Sequence, residues 1–130
     1  MIGADAYPIT LAEMHTYSVD ADRLFDGDEH ERMKDFLAVH PELGEVIAGT
    51  KGVRQLHWPT APKKPRVQVF YYFHDLNMPV YLLAVFGPGK WIVGFDEEFR
   101  ELLAKHVTEL LAEHSKQWKR MAGIIQPAPA

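Results

Sequence analysis

Apolar positions recur along the chain with two periods, and the periods divide it into elements. In the C-terminal third, Phe99, Leu102, Leu103, His106, Val107, Leu110, Leu111, His114, Trp118 and Met121 return at three- and four-residue steps, the period of an amphipathic helix. Asp96 offers an N-cap side chain ahead of that stripe and Gly123 a stop behind it. Shorter runs rich in Val and aromatic residues read as strands over residues 53–58, 66–74 and 80–86. Pro59, Pro62 and Pro65 place a loop between the first two, and Asp75-Leu76-Asn77 turns the second into the third. Connections this short predict an antiparallel meander, which Gly87-Pro88-Gly89 ends.

Upstream, residues 14–19 read as a first strand. Asp28 opens a helix with Glu31 as a capping-box partner; Met33, Phe36 and Leu37 form its apolar face, and Pro41 ends it. Pro41-Glu42-Leu43-Gly44 is then a turn. Residues 1–13 read as an N-terminal extension, 14–123 as one domain, and 124–130 as a flexible tail that ends in the Pro/Ala tract over residues 126–130. The order strand, helix, three strands, long helix predicts an α+β fold: a small antiparallel sheet with helices on one face and a long amphipathic C-terminal helix.

Composition adds limits. At 130 residues, 47% hydrophobic and 25% charged, the chain suits one domain with a real core. The absence of Cys excludes a disulfide framework, thiolate metal sites and a cysteine nucleophile. No apolar run reaches the roughly 18 residues of a membrane span, and Met1 to Asp5 lacks the basic start of a signal peptide. The expectation is a cytoplasmic protein with no membrane partner.

The net charge of −4 speaks at first against a nucleic-acid partner, but its distribution changes that reading. Residues 1–45 hold 11 acids against 3 Lys/Arg, a balance of −8. Residues 46–74 hold no acid and five basic residues, Lys51, Arg54, Lys63, Lys64 and Arg66. Residues 75–130 carry 7 acids and 6 Lys/Arg. The acid-free block is either a basic hairpin offsetting acidic neighbours or an anion-binding surface, for which phosphate is the usual partner.

Strand parity sorts that block. Val53, Gln55 and His57 share one face, with Arg54, Leu56 and Trp58 on the other. On the next strand Arg66, Gln68, Phe70 and Tyr72 oppose the more apolar set Val67, Val69, Tyr71 and Phe73, which is expected to face the helices. Arg66, Gln68 and Tyr72, joined by Gln55 and His57, would then form an open face able to hold a phosphodiester and stack a base on Tyr72. An imidazole titrates near pH ~6.5, so His57 suits proton transfer, and Arg54 or Arg66 suits a developing negative charge. The same residues also fit ordinary sheet packing. His106 and His114 stand two turns apart, too far to ligate one metal; no metal or cofactor is expected. Gly87-Pro88-Gly89-Lys90 lacks the rest of a phosphate-loop pattern and reads as a turn, and no Ser/His/Asp arrangement can be assigned.

The segment from Pro41-Glu42-Leu43-Gly44 through Gly49-Thr50-Lys51-Gly52 to Arg54-Gln55-Leu56-His57-Trp58 resembles the RelE/ParE-type toxins of bacterial toxin–antitoxin modules, in particular their HigB-like branch. Those chains carry a Pro-x-x-Gly turn, a Gly-Thr-x-Gly step and an Arg-Lys-Leu-Arg-Trp-like strand. Gln68-Val69-Phe70-Tyr71-Tyr72 and Tyr81-Leu82-Leu83-Ala84-Val85-Phe86 resemble two later strands of the family, so the likeness covers roughly residues 14–115. The resemblance implies a RelE-like fold and a metal-independent, ribosome-dependent mRNA endonuclease that inhibits translation. It further implies a cognate antitoxin of helix-turn-helix type, with the ribosome and mRNA as the other partners.

Carried over by position, the family's basic strand falls on Arg54, Gln55, Leu56, His57 and Trp58, its later strand arginine on Gln68 and its tyrosines on Tyr71 and Tyr72. Joined to the basic block and strand faces above, this makes His57, Arg66, Tyr72 and Arg54 the expected catalytic set, and Lys51, Lys63, Lys64, Gln55, Gln68 and Lys90 the expected RNA-binding set. This chain departs from the family pattern at Gln55 (a Lys there), His57 (an Arg) and Gln68 (an Arg). No basic residue stands at Gly87, although Lys90 is near, and Arg66 shares the face of Gln68. Those losses motivate a second reading, a catalytically degenerate relative serving as a protein-binding module. A ParE-like gyrase inhibitor is the third. A homodimer through the C-terminal helix is one further option.

Overall fold

The structure, a computed structural model, describes residues 9–60 and 64–125, the last four by backbone alone. It is an α+β domain. Its elements are β1 (Leu11–Glu13), α1 (His15–Leu24), α2 (Gly27–Val39), β2 (Glu45–Val46), β3 (Val53–Pro59), β4 (Arg66–Tyr72), β5 (Val80–Phe86) and α3 (Glu97–Ile125). The five strands form one sheet in the order β1-β5-β4-β3-β2. The meander β3-β4-β5 is antiparallel as expected, whereas β1 runs parallel to β5, pairing Leu11 with Val80. The sheet is therefore mixed.

The first strand falls at Leu11–Glu13, inside the segment read as an extension, and most of residues 14–19 lies in α1. Tyr17 and Ala21, one helical turn apart, are both fully buried, the spacing of one helix face. Burial of that stripe outweighs local propensity. Glu13 also receives Ser18 Oγ at 3.1 Å and Lys34 Nζ at 3.1 Å, which ties β1 to both helices. The cap of α2 is Asp26, whose carboxylate accepts from Asp28 N at 2.9 Å, two residues before the expected start. At the other end of the chain, α3 continues two residues past Gly123.

Helices cover both faces of the sheet, not one. On the first, Tyr17, Ala21 and Phe25 of the α1 segment and Met33 and Leu37 of α2 pack on Leu56, Val67, Val69, Tyr71 and Leu82. On the second, Leu103 and Val107 of α3 pack on Val53, Phe70, Tyr72 and Leu83. Leu83 lies in this layer by alternation from Leu82; the β4–β5 register slip between Phe70 and Tyr71 leaves it without a partner on β4, and Ala84 then faces the same way.

One buried titratable pair sits under α1. Tyr17 Oη lies 3.0 Å from His30 Nε2, and the imidazole stacks on Phe25 at 4.6 Å. Burial, aided by Lys34, holds His30 below its ordinary value of 6.5, against the opposing pull of Glu13, Glu31 and Asp22. Below that value the unfolded chain takes up a proton that the folded chain resists, so stability is complete above pH 6.5 and declines as pH falls toward the folded pKa. Urea unfolding across this window should show that decline, and His30→Gln should flatten it.

Candidate functional site

The hairpin that carries the site is built around one glycine and one tyrosine. Tyr71 Oη donates to Pro41 O at 2.9 Å and accepts from Gly44 N at 2.7 Å, while Arg54 donates to Gly44 O at 2.8 Å and Glu42 O at 3.2 Å. The turn 41–44 is thereby clamped beside β3, and Glu45 pairs with Gln55. Thr50, fully buried, donates to Ile47 O and accepts from Val53 N, closing the next turn. Gly49, Lys51 and Gly52 there adopt φ values of 79°, 62° and 109°, the left-handed region that favours glycine.

Strand β2 has two residues and β3 seven, so β3 runs on with its outer edge unpaired from His57. Ile47 N donates to Val53 O, which fixes the backbone of Val53, and by alternation of Gln55 and His57, toward that edge. Arg66 Nη1 donates to His57 O at 3.3 Å. A cleft of about 530 Å³ lies along the edge between the Leu43–Glu45 turn and Arg66. Its lining includes one carboxylate, Glu45.

At this end of the second face His57 and Arg66 are exposed. His57 is exposed and its ring packs against Trp91 with centroids 4.4 Å apart and planes 42° apart. Trp91 is held there by Gln68, which is 1% exposed. The Gln68 carboxamide accepts from Ile92 N at 2.8 Å and donates to Ile92 O at 2.9 Å and to Gln55 Oε1 at 3.1 Å. A side-chain amide thus does for the segment after β5 what a neighbouring strand would do.

The expected open face is therefore corrected. Gln68 lies inside and is spent on Ile92 and Gln55. Tyr72 is 4% exposed beneath α3, with its hydroxyl 3.0 Å from His74 Nδ1, and offers no ring to a base. Burial, reinforced by Asp75, pushes its phenol pKa upward. Arg54 points to the other face and holds the turn. Lys51 donates to Thr108 of α3 at 2.9 Å, at the opposite end of β3 from His57. Lys63 lies outside the described residues, and Lys64 is exposed on the loop before Arg66. His57, Arg66 and the half-buried Gln55 are brought together, and Lys90 is exposed beside Trp91 in sequence.

Trp91 was not anticipated. A lone Trp after Gly-Pro-Gly-Lys has no period of its own, and its position depends on the distant Gln68. Among the described residues no group of three or more His, Asp or Glu side chains could hold a metal ion, and no helix is long and apolar enough to cross a membrane. Searched against protein-family models, the chain matches none.

Replacing Gln68 with leucine keeps the volume and removes the clamp. Ile92 N–H and C=O then lose their partners in a half-buried place, which should cost about 2 kcal/mol. Urea unfolding measures the loss, and faster hydrogen exchange at the Ile92 amide would locate it.

Proposed function

We propose that this chain is a RelE-type toxin that cuts mRNA in the ribosome, acts in the cytoplasm and is neutralised by a cognate antitoxin. The observation that carries the reading is the grouping of exposed His57, Arg66 and Trp91 at the end of the strands that resemble the toxin motif. An RNA strand laid along this end meets a guanidinium for its phosphate, an indole for a base and an imidazole for a proton. In the reaction the 2′-oxygen forms a bond to the adjacent phosphorus and the bond to the 5′-oxygen breaks. His57 takes the 2′-hydroxyl proton, Arg66 offsets the charge gathering on the phosphoryl oxygens, and water supplies the proton to the leaving oxygen. Stacking belongs to Trp91 in place of Tyr72, and Lys64 and Lys90 supply outlying positive charge.

Induced expression in a bacterial host tests this. Wild type should arrest growth and leave cleaved mRNA on translating ribosomes, while His57→Ala/Arg66→Ala should do neither. Equal growth of the two strains overturns the cleavage reading.

A second reading has its own observations. Gln68 and Tyr72 are consumed inside the fold, Arg54 holds a turn, and Glu45 sets a negative charge beside the cleft. A protein-binding module without cleavage fits those facts. Tight binding to the product of an adjacent gene, with intact mRNA on translating ribosomes, would select it.

A further inference from the structure

Helix α3 outruns the body on which it packs. Leu103 and Val107 are buried against the sheet, with Phe99, Leu110 and Leu111 half-buried beside them. The same stripe continues at His114, Trp118 and Met121, because a helical period does not stop where the sheet does. Among the described residues the last two are left largely uncovered, Trp118 at 64% and Met121 at 57% exposure.

Charge identifies what covers them. Over the distal half of α3, beyond Lys105, the acids Glu109 and Glu113 come first and Lys116, Lys119 and Arg120 follow. A segment acidic first and basic last complements an antiparallel copy of itself. Glu113 and Arg120, two turns apart, lie on one flank of the apolar stripe. Like flanks face each other when helices pair antiparallel. A two-fold axis beside Lys116 and Gln117 therefore sets Glu113 of each copy against Arg120 of the other. The same register lays Trp118 over His114 and Met121 over Leu111.

We propose that the distal part of α3 is a self-association surface, which joins two copies of this chain in an isologous antiparallel pair. The patch is short beside the roughly 1,200–2,000 Å² of a standard interface, so the dimer forms and dissociates with concentration. The proposal is independent of any activity at His57.

Sedimentation velocity on the full chain, from low to high micromolar concentration, tests it. The weight-average sedimentation coefficient should climb from the monomer value to the dimer value. Trp118→Ala and Glu113→Arg should each weaken association about tenfold or more, a change of about 1.4 kcal/mol. Glu113→Arg combined with Arg120→Glu should restore it, since the exchanged charges still meet. All three positions are exposed, so far-UV circular dichroism should stay unchanged. A chain monomeric at every concentration, as expected if a different protein or RNA occupies the stripe, overturns the proposal. So does a dimer indifferent to Glu113→Arg, or a charge exchange that fails to restore it.

Discussion

Gly44→Ala should destabilise the domain by about 3 kcal/mol, a large fraction of the stability of a domain this size. A Cβ at residue 44 would stand 2.6 Å from Gln55 O and 2.9 Å from Tyr71 Cε1. Neither neighbour can yield cheaply. The first is strand backbone, and the second belongs to a fully buried ring in the first-face core. Moving the turn outward would stretch Gly44 N to Tyr71 Oη and Arg54 to Gly44 O together. Urea unfolding would register the change, and Tyr71→Phe gives the calibration. That variant removes both hydrogen bonds of the hydroxyl without adding an atom, at an expected cost of about 2 kcal/mol. A Gly44→Ala variant as stable as wild type would mean that the turn is not held against β3.

On the proposed endonuclease reading, His57→Ala should slow single-turnover cleavage on programmed ribosomes by about a hundredfold or more, the usual effect of removing a general acid–base group. The urea midpoint should scarcely move, because the ring is exposed and Trp91 is its aromatic neighbour. Trp91→Ala provides the contrast. Loss of base stacking, worth about 1–3 kcal/mol, should appear in the concentration of ribosomes needed for half-maximal rate, with a smaller effect on the maximal rate. If both variants cleave as wild type does, the proton must be moved elsewhere. If both lose stability, the pair is packing.

The meander was legible because its signals are local. Residues 53–58, 66–74 and 80–86 are rich in Val and aromatic side chains and are separated by residues that cannot continue a strand. Strand β5 falls at Val80–Phe86 as read, and Asp96 caps α3 by accepting from Phe99 N at 2.8 Å. The covering of the second face was not legible in the same way. Parity put Arg66, Gln68 and Tyr72 together, and two polar residues made the face look wet. Phe70 shares that parity, and a strand apolar on both faces is normally covered on both. Phe95 and Phe99 meet the Phe70 ring edge-on at 6.0 and 5.6 Å. What remained out of reach was pairing over distance: β1 with β5, Gln68 with Ile92, and His57 with Trp91.

The pairing of the first strand with the last strand has a consequence for biosynthesis. Leu11 finds its partner only when Val80 exists, and Met14 N bonds to Leu82 O. Until β5 has left the ribosomal tunnel, β1 and the apolar stripe of α1 have no sheet to join. Loop closure over so long a stretch also slows the final assembly. A nascent chain stopped before residue 80 would expose Tyr17, Met33 and Leu37, the buried side chains that invite aggregation and proteolysis. The arrangement ties completion of the domain to its last strand, so the surface at His57, which needs Trp91 beyond β5, takes shape only after that strand has emerged.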